Sequence, residues 1–510
     1  MKFFPHNDNS TSKMFRHLEQ KHDIKLNNKF ETDEREKDPF YLLLMFIITA
    51  SLPFRCVENK FFKLFCHFLN PNFKLPSRKD LSDLASVYYE KEKKSTISRL
   101  REIKSVSLTT DCWTSVQNFS CISLTAHFFD DKLNLKSMLL AVRHILGGHT
   151  ARNLSDNITC ILDEFSILRK TKFITTDNVN TMLQMSKNLG LERIPCIAHL
   201  LNLIVSNWLK AIKQTIIRNE DNCPSENPFM TTQEIEATDK QNFDYSTRQK
   251  IHENIDQFSI FSQALEKCSS IASYYNHSTM MKEELIKKQS EISEKQLSIV
   301  QQVTRWNSTF LMVESVIKNK ESLNPILSKD QKHKNLQLKS NEVEILEDAM
   351  LVLQTFYNIT EDISSEYSAT SSLIIPAFTT LIKACEINVD DKHFSVGFKQ
   401  LIKIYIDFYT EKYGIFENKD LVLAAFLDPR YKKFSSSTET QRNEFIEMAE
   451  RQIRDSISDF RDVIKLSSTN KNHSTHENKS KQRKGVQMSD SSDNENEIEI
   501  NWRSSRKQIN

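Results

Sequence analysis

Glycine and proline are scarce, 6 and 11 among 510 residues. So few of either leaves few tight turns and predicts long helices. An excess of one charge is missing too. Lys plus Arg number 69 and Asp plus Glu 67, so any nucleic-acid contact has to come from local basic patches. The nine cysteines show no paired spacing. That argues against a disulfide framework and predicts free thiols in a reducing compartment. The first residues hold no apolar core flanked by a cleavage site, so no signal peptide is expected. The most apolar run, Phe40 to Phe54, is broken by Thr49, Ser51 and Pro53 and falls short of a membrane span. It reads as a buried helix in a soluble intracellular chain long enough for two to four domains.

What is present divides by rhythm. Residues 1–37 are polar, with one short helical pattern around Met14 to His22. Residues 38–103 read as helices. Phe61, Phe62, Leu64, Phe65, Phe68 and Leu69 form one dense apolar face, and Leu81, Leu84, Val87 and Tyr88 form another. Alternation then takes over in SVSLTTD (Ser105–Asp111), SCISLTAHFF (Ser120–Phe129) and Leu133–Val142. These are three strands at hairpin spacing, with Asp130–Asp131 as a turn. Gly147–Gly148 breaks the pattern before a helix from about Ala151 to Phe165. A short strand, Lys172–Thr175, leads to Asp177, then come another helix and the segment Arg193–Trp208. Three antiparallel strands, a helix, a parallel strand and a helix is the order of a ribonuclease H-like α/β sheet. Residues 214–250 read as a polar surface loop. Helical periodicity returns over 255–295 and from Glu342 to about Tyr413. A polar tail, 466–510, with a basic piece (Lys479–Lys484) before an acidic one (Asp490–Glu499), is expected to be disordered.

Two aspartates stand out by position, Asp111 closing the first strand and Asp177 following the parallel one. Adjacent strand ends can bring two carboxylates together, and such a pair can hold Mg²⁺ or Mn²⁺ against a phosphodiester. An N-cap for Asp177 and a simple strand end for Asp111 account for them equally on spacing alone. Cys196 and His199 form a C-x-x-H pair in an apolar helix. One pair is two zinc ligands where a structural site takes four, so a packed pair accounts for it as well. Arg305 and Trp306 in VTRWNST could meet a nucleic-acid strand by phosphate pairing and stacking, or be a surface Arg beside a core Trp. His17 and His22 match the second half of a Cys₂His₂ finger, but residues 1–16 hold no cysteine. Zinc binding is therefore not expected, and a finger without its metal does not fold.

Several segments together resemble the hAT transposases, in particular their BED-type zinc-finger branch. Leu52–Leu81 is similar to the helical DNA-binding and scaffold segment. SLTTDCWTS (Ser107–Ser115) and FITTDNVNTM (Phe173–Met182) resemble the strands carrying the first two catalytic acids. PCIAHLLNLIV (Pro195–Val205) resembles the C-x-x-H motif that follows. VTRWNSTFLM (Val303–Met312) resembles the entry to a helical insertion domain, AAFLDPRYK (Ala424–Lys432) a segment late in it, and TSKMFRHLEQKH (Thr11–His22) the end of a BED finger.

The resemblance implies a ribonuclease H-like domain (104–213 and 296–312) interrupted by a helical insertion (251–295 and 313–465), a helical DNA-binding-like domain (38–103) and a residual half finger (1–25). It implies that Asp111 and Asp177 are the first two metal-binding acids of a D-D-E triad, with Cys196 and His199 beside them. Arg305 and Trp306 would contact DNA. No segment resembling the family's third-acid and dimerisation motif follows Lys433. A nuclear DNA-binding protein without transposition activity is therefore expected. It would require no cofactor (Mg²⁺ or Mn²⁺ only if cleavage persists), no membrane and no small-molecule substrate, and homodimerisation is left open. The alternatives are a fragment of an active transposase, with an acid such as Glu314 standing in, and a helical protein-interaction scaffold.

Overall fold

The computed structural model describes residues 38–220, 246–292, 298–300, 306–364 and 369–473. The half finger with His17 and His22, the acidic and basic tail pieces, and Arg305 lie outside the described residues.

Three helices come first: α1 (Pro39–Thr49), α2 (Lys60–Leu69) and α3 (Arg78–Glu102). The α3 start is fixed by a capping box, in which the Ser77 hydroxyl accepts from Asp80 N–H and the Asp80 carboxylate from Ser77 N–H. Leu44, Ile47, Val57 and Leu81 form a small core here. Phe62 of α2 packs against this core, but among the described residues most of the apolar face read on α2 is not covered. Phe61, Phe65 and Phe68 are 75%, 58% and 84% exposed.

A five-stranded sheet follows, in the order β3-β2-β1-β4-β5. The strands are β1 (Val106–Thr114), β2 (Ser120–Phe129), β3 (Leu135–His144), β4 (Thr171–Thr176) and β5 (Glu192–Pro195). β1, β2 and β3 are antiparallel neighbours, while β4 runs parallel to β1 and β5 parallel to β4. The β2–β3 turn is closed by Asp130, whose Oδ1 accepts from the backbone N–H of Lys132 and Asn134 at 3.0 and 2.8 Å. Between β3 and the next helix the chain passes through Gly147 and Gly148 at φ 86° and 81°, a region glycine enters without a Cβ clash.

The alternation read from the sequence selects which face is buried. Val106, Leu108, Ile122, Leu124, Ala126 and Phe128 point to one side. They meet Leu154, Ile158, Ile161 and Leu162, spaced on one stripe of α4 (Ala151–Glu164), and Met182 and Met185 of α5 (Asn180–Leu189). Each fully buried aliphatic here contributes roughly 1.5–3 kcal/mol. The opposite face is more polar, and Thr109 Oγ1 there lies 3.0 Å from His127 Nε2.

The sheet then hands over to helices. α6 (Ile197–Glu220) leaves β5 and enters a large apolar cluster with α7 (Ile255–His277), α8 (Thr279–Ile292), α9 (Trp306–Lys318), α10 (Lys320–Lys329), α11 (Ser340–Ile363), α12 (Ile374–Ala384), α13 (His393–Lys412), α14 (Lys419–Leu427) and α15 (Glu439–His473). Ile194, Leu200, Leu201 and Ile204 belong to that cluster, so β5 and α6 weld the sheet to the helical body. Mixed sheet and helical insertion agree with the ribonuclease H-like expectation.

At Gly397 on α13 the start of α7 packs close against the helix backbone. A Cβ there would stand 2.6 Å from Asn254 Oδ1 and 2.9 Å from Gln257 Oε1. Both side chains are already engaged, with Asn254 Nδ2 donating to Lys250 O and Gln257 Nε2 to Phe394 O. Gly397→Ala is expected to cost ~1–3 kcal/mol by overpacking, read as a lower urea midpoint at unchanged slope. An unchanged or higher midpoint would show that the two amides give way freely.

Candidate functional site

In open α/β sheets the carboxyl ends of the parallel strands frame the natural crevice. β1 and β4 are parallel neighbours whose pairing stops at Thr109 and Thr175. Asp111 lies two residues beyond that point on β1, and Asp177 directly follows β4. Asp111 does not end its strand, since β1 stays paired to β2 through Thr114, with Asp111 opposite Ser123. The hairpin carries the strand past the point where its parallel partner leaves.

Both carboxylates open into one cleft of about 550 Å³. Its walls also include Cys196, His199 and Asn202 from the start of α6, Trp306 and Asn307 from the start of α9, and Glu361 near the end of α11. Of the residues singled out from the sequence, Asp111, Asp177, Cys196, His199 and Trp306 are thus brought together. Glu314 is not among them. It lies on α9 and pairs with Lys318 at 2.7 Å.

The cleft has a defined polar order. His199 Nδ1 stands 3.0 Å from Asp177 Oδ2. Asp111 Oδ1 accepts from the N–H of Cys112 at 2.8 Å. Burial, then the charges of Asp111 and Asp177, push the Cys112 thiol up to about 12. Burial raises Cys196 too, against the pull of backbone N–H groups at the start of α6 and with a smaller push from the same two aspartates. Both thiols are therefore held protonated near neutrality, a state that does not suit a nucleophile.

Trp306 is 4% exposed. Its ring meets Phe310 and Phe356 edge-on, both with centroids 6.4 Å away. It is seated in the helical core and borders the cleft from there.

Sequence reasoning missed the residues that brace this site. Arg193 on β5 donates from Nε to Thr176 Oγ1 at 2.8 Å and from Nη2 to Asp177 O at 2.9 Å and Asn178 Oδ1 at 2.6 Å. Asn178 is 6% exposed, and its Nδ2 donates to Cys196 O. The only available signal was an arginine beside Glu192 in a four-residue strand, just before Ile194 and Pro195.

A divalent cation needs about six hard oxygen ligands, several of them carboxylate in a two-metal site. Asp111 and Asp177 are a partial set, and Asp177 is already paired with His199. Among the described residues no group of three His, Cys, Asp or Glu side chains is placed to hold a metal ion. The described residues do not fit a complete metal centre.

Comparison with known proteins agrees with this layout. Residues 109–195 match the family of the ZBED1 RNase-like domain, and residues 194–351 that of the ZBED1 RNase-like helical domain. A putative AC transposase of Zea mays is 27% identical over 409 residues, covering 76% of this chain and 44% of its own length. The zinc finger BED domain-containing protein RICESLEEPER 2 of Oryza sativa subsp. japonica is 21% identical, covering 78% of this chain and 50% of its own. These matches support a hAT transposase-derived protein of the BED type. A putative transcriptional regulator, tpeD, of Talaromyces stipitatus is also similar, 26% identical over 68% of this chain and 40% of its own length. The chain spans about half the length of the curated relatives it matches. No described helix is long and apolar enough to cross a membrane, and the eight described cysteines are free.

Proposed function

We propose that the chain is a nuclear DNA-binding protein that holds DNA at the cleft of its ribonuclease H-like domain and does not itself carry out transposition. One observation supports this above the others: four motif segments far apart in sequence, around Asp111, Asp177, Cys196–His199 and Trp306, converge on a single cleft. The two carboxylates oppose a phosphate backbone, and His199, 3.0 Å from Asp177, gives one of them a partner within the cleft. Binding needs no cofactor and no zinc, and it is compatible with a monomer or a homodimer.

A gel shift with duplex DNA across salt concentrations tests this. Affinity is expected to fall linearly on a log–log scale as salt rises, because phosphate contacts release counterions. Without divalent ions, Asp111→Asn combined with Asp177→Asn is expected to bind a few-fold tighter, since two negative charges leave the phosphate path. Absence of binding at low salt would overturn the reading in favour of a protein-interaction scaffold.

A second reading, a metal-dependent DNA-cutting enzyme, is favoured by Glu361, a third acid on the cleft wall. It requires Mn²⁺-dependent nicking that Asp111→Ala, Asp177→Ala and Glu361→Gln each abolish.

A further inference from the structure

We propose that Arg193 and Tyr413 are positioning residues for Asp177, and that through Tyr413 the helical domain sets the geometry of the cleft. This rests on the cleft being the working site. The turn after β4 carries Asp177 with no regular pairing of its own, and two groups from elsewhere hold it. The Arg193 guanidinium reaches Thr176, Asp177 and Asn178 together, using the fork geometry that sets arginine apart from lysine. From the other side Tyr413, at the C-terminal end of α13, donates its hydroxyl to Asn178 O at 3.2 Å. Its ring centre lies 6.0 Å from the guanidinium carbon of Arg193, within reach of a cation–π contact.

Neither residue lines the cleft. Arg193 holds side chains and backbone of the turn and Tyr413 its backbone, and the turn aims the Asp177 carboxylate at His199 Nδ1, 3.0 Å away. A residue more than 230 positions along the chain from Asn178 thus closes the clamp. Any shift of α13 against the sheet would move Asp177.

The test is selective ¹⁵N-histidine NMR of the full chain without DNA, in slightly alkaline buffer, with the His199 signals assigned by their loss in His199→Gln. In the wild type Nδ1 is expected to carry the proton donated to Asp177, and Asp177→Asn gives the signature of the broken pair. Arg193→Lys and Tyr413→Phe are expected to shift the His199 signals toward that broken signature. Tyr413→Phe keeps the ring and loses only the hydroxyl, so it guards against an unfolded Arg193 variant, and circular dichroism checks both. His199 signals unchanged from wild type in the folded variants would overturn the proposal. Because DNA is absent, failure of the DNA-binding reading would leave this result as it stands. Failure here would likewise leave the gel shift as it stands.

Discussion

Phe398→Ala is expected to lower the stability of the helical body by ~3–5 kcal/mol, the range for emptying a fully buried aromatic site. Phe398 has no exposed surface. Its ring stacks on Phe258 at 5.6 Å and meets Phe261 and Trp208 edge-on at 5.0 and 5.6 Å. Three helices, α6, α7 and α13, therefore meet on this one ring. Truncation removes dispersion contacts with all three at once. The neighbouring rings are themselves pinned by the cluster, so the space closes only in part. Phe398→Leu keeps most of the volume and is expected to cost less, under ~1.5 kcal/mol if the site repacks. Urea unfolding followed by tryptophan fluorescence reads both, because Trp208 is one of the contacting rings. A loss below about 1 kcal/mol for the alanine variant would mean that the three helices collapse onto the gap and that this junction is not rigid.

That junction also shows what a sequence can and cannot disclose. The sheet was legible because alternation has a short period. Ser120–Phe129 was read as a strand and is β2 with the same ends, since each residue declares its own face. Asp111 and Asp177 were ambiguous by position alone and became legible through the resemblance of SLTTDCWTS and FITTDNVNTM to segments that carry the first two acids. β5 was not, being four residues long with an arginine and a proline among them, too short for any period to register. The bracing of Asp177 was hidden for a different reason. Tyr413 looks like any other aromatic at the end of an amphipathic helix, and only the approach of the α13 end to the turn after β4 brings its hydroxyl to Asn178. Periodicity also located the apolar face of α2 while saying nothing about what covers it. Among the described residues that face stays exposed at Phe61, Phe65 and Phe68.

Glu164→Gln is expected to cost about 2 kcal/mol at neutral pH and to flatten the acid limb of the stability profile. Glu164 ends α4 and ties three elements together. Its Oε1 accepts from Arg143 Nη2 of β3 at 2.5 Å and its Oε2 from Lys93 Nζ of α3 at 2.7 Å. The Arg143 hydrogen bond, opposed by burial and joined by the Lys93 hydrogen bond, lowers this carboxyl from 4.5 to about 2. A depressed carboxyl binds its proton later in the folded chain than in the unfolded one. Its contribution is therefore complete above the unfolded value and is lost as pH falls through about 2. The full shift would correspond to about 3 kcal/mol at ~1.4 kcal/mol per pKa unit. With 30% of the side chain exposed, solvent screening brings that down to ~1–2 kcal/mol. The amide variant adds a second loss, because Arg143 and Lys93 then face each other with no anion between them. Urea midpoints measured from neutral pH down to about 2 decide the matter. Convergence of wild type and variant toward the acid end supports the staple, and parallel curves would show that Glu164 contributes nothing through its charge.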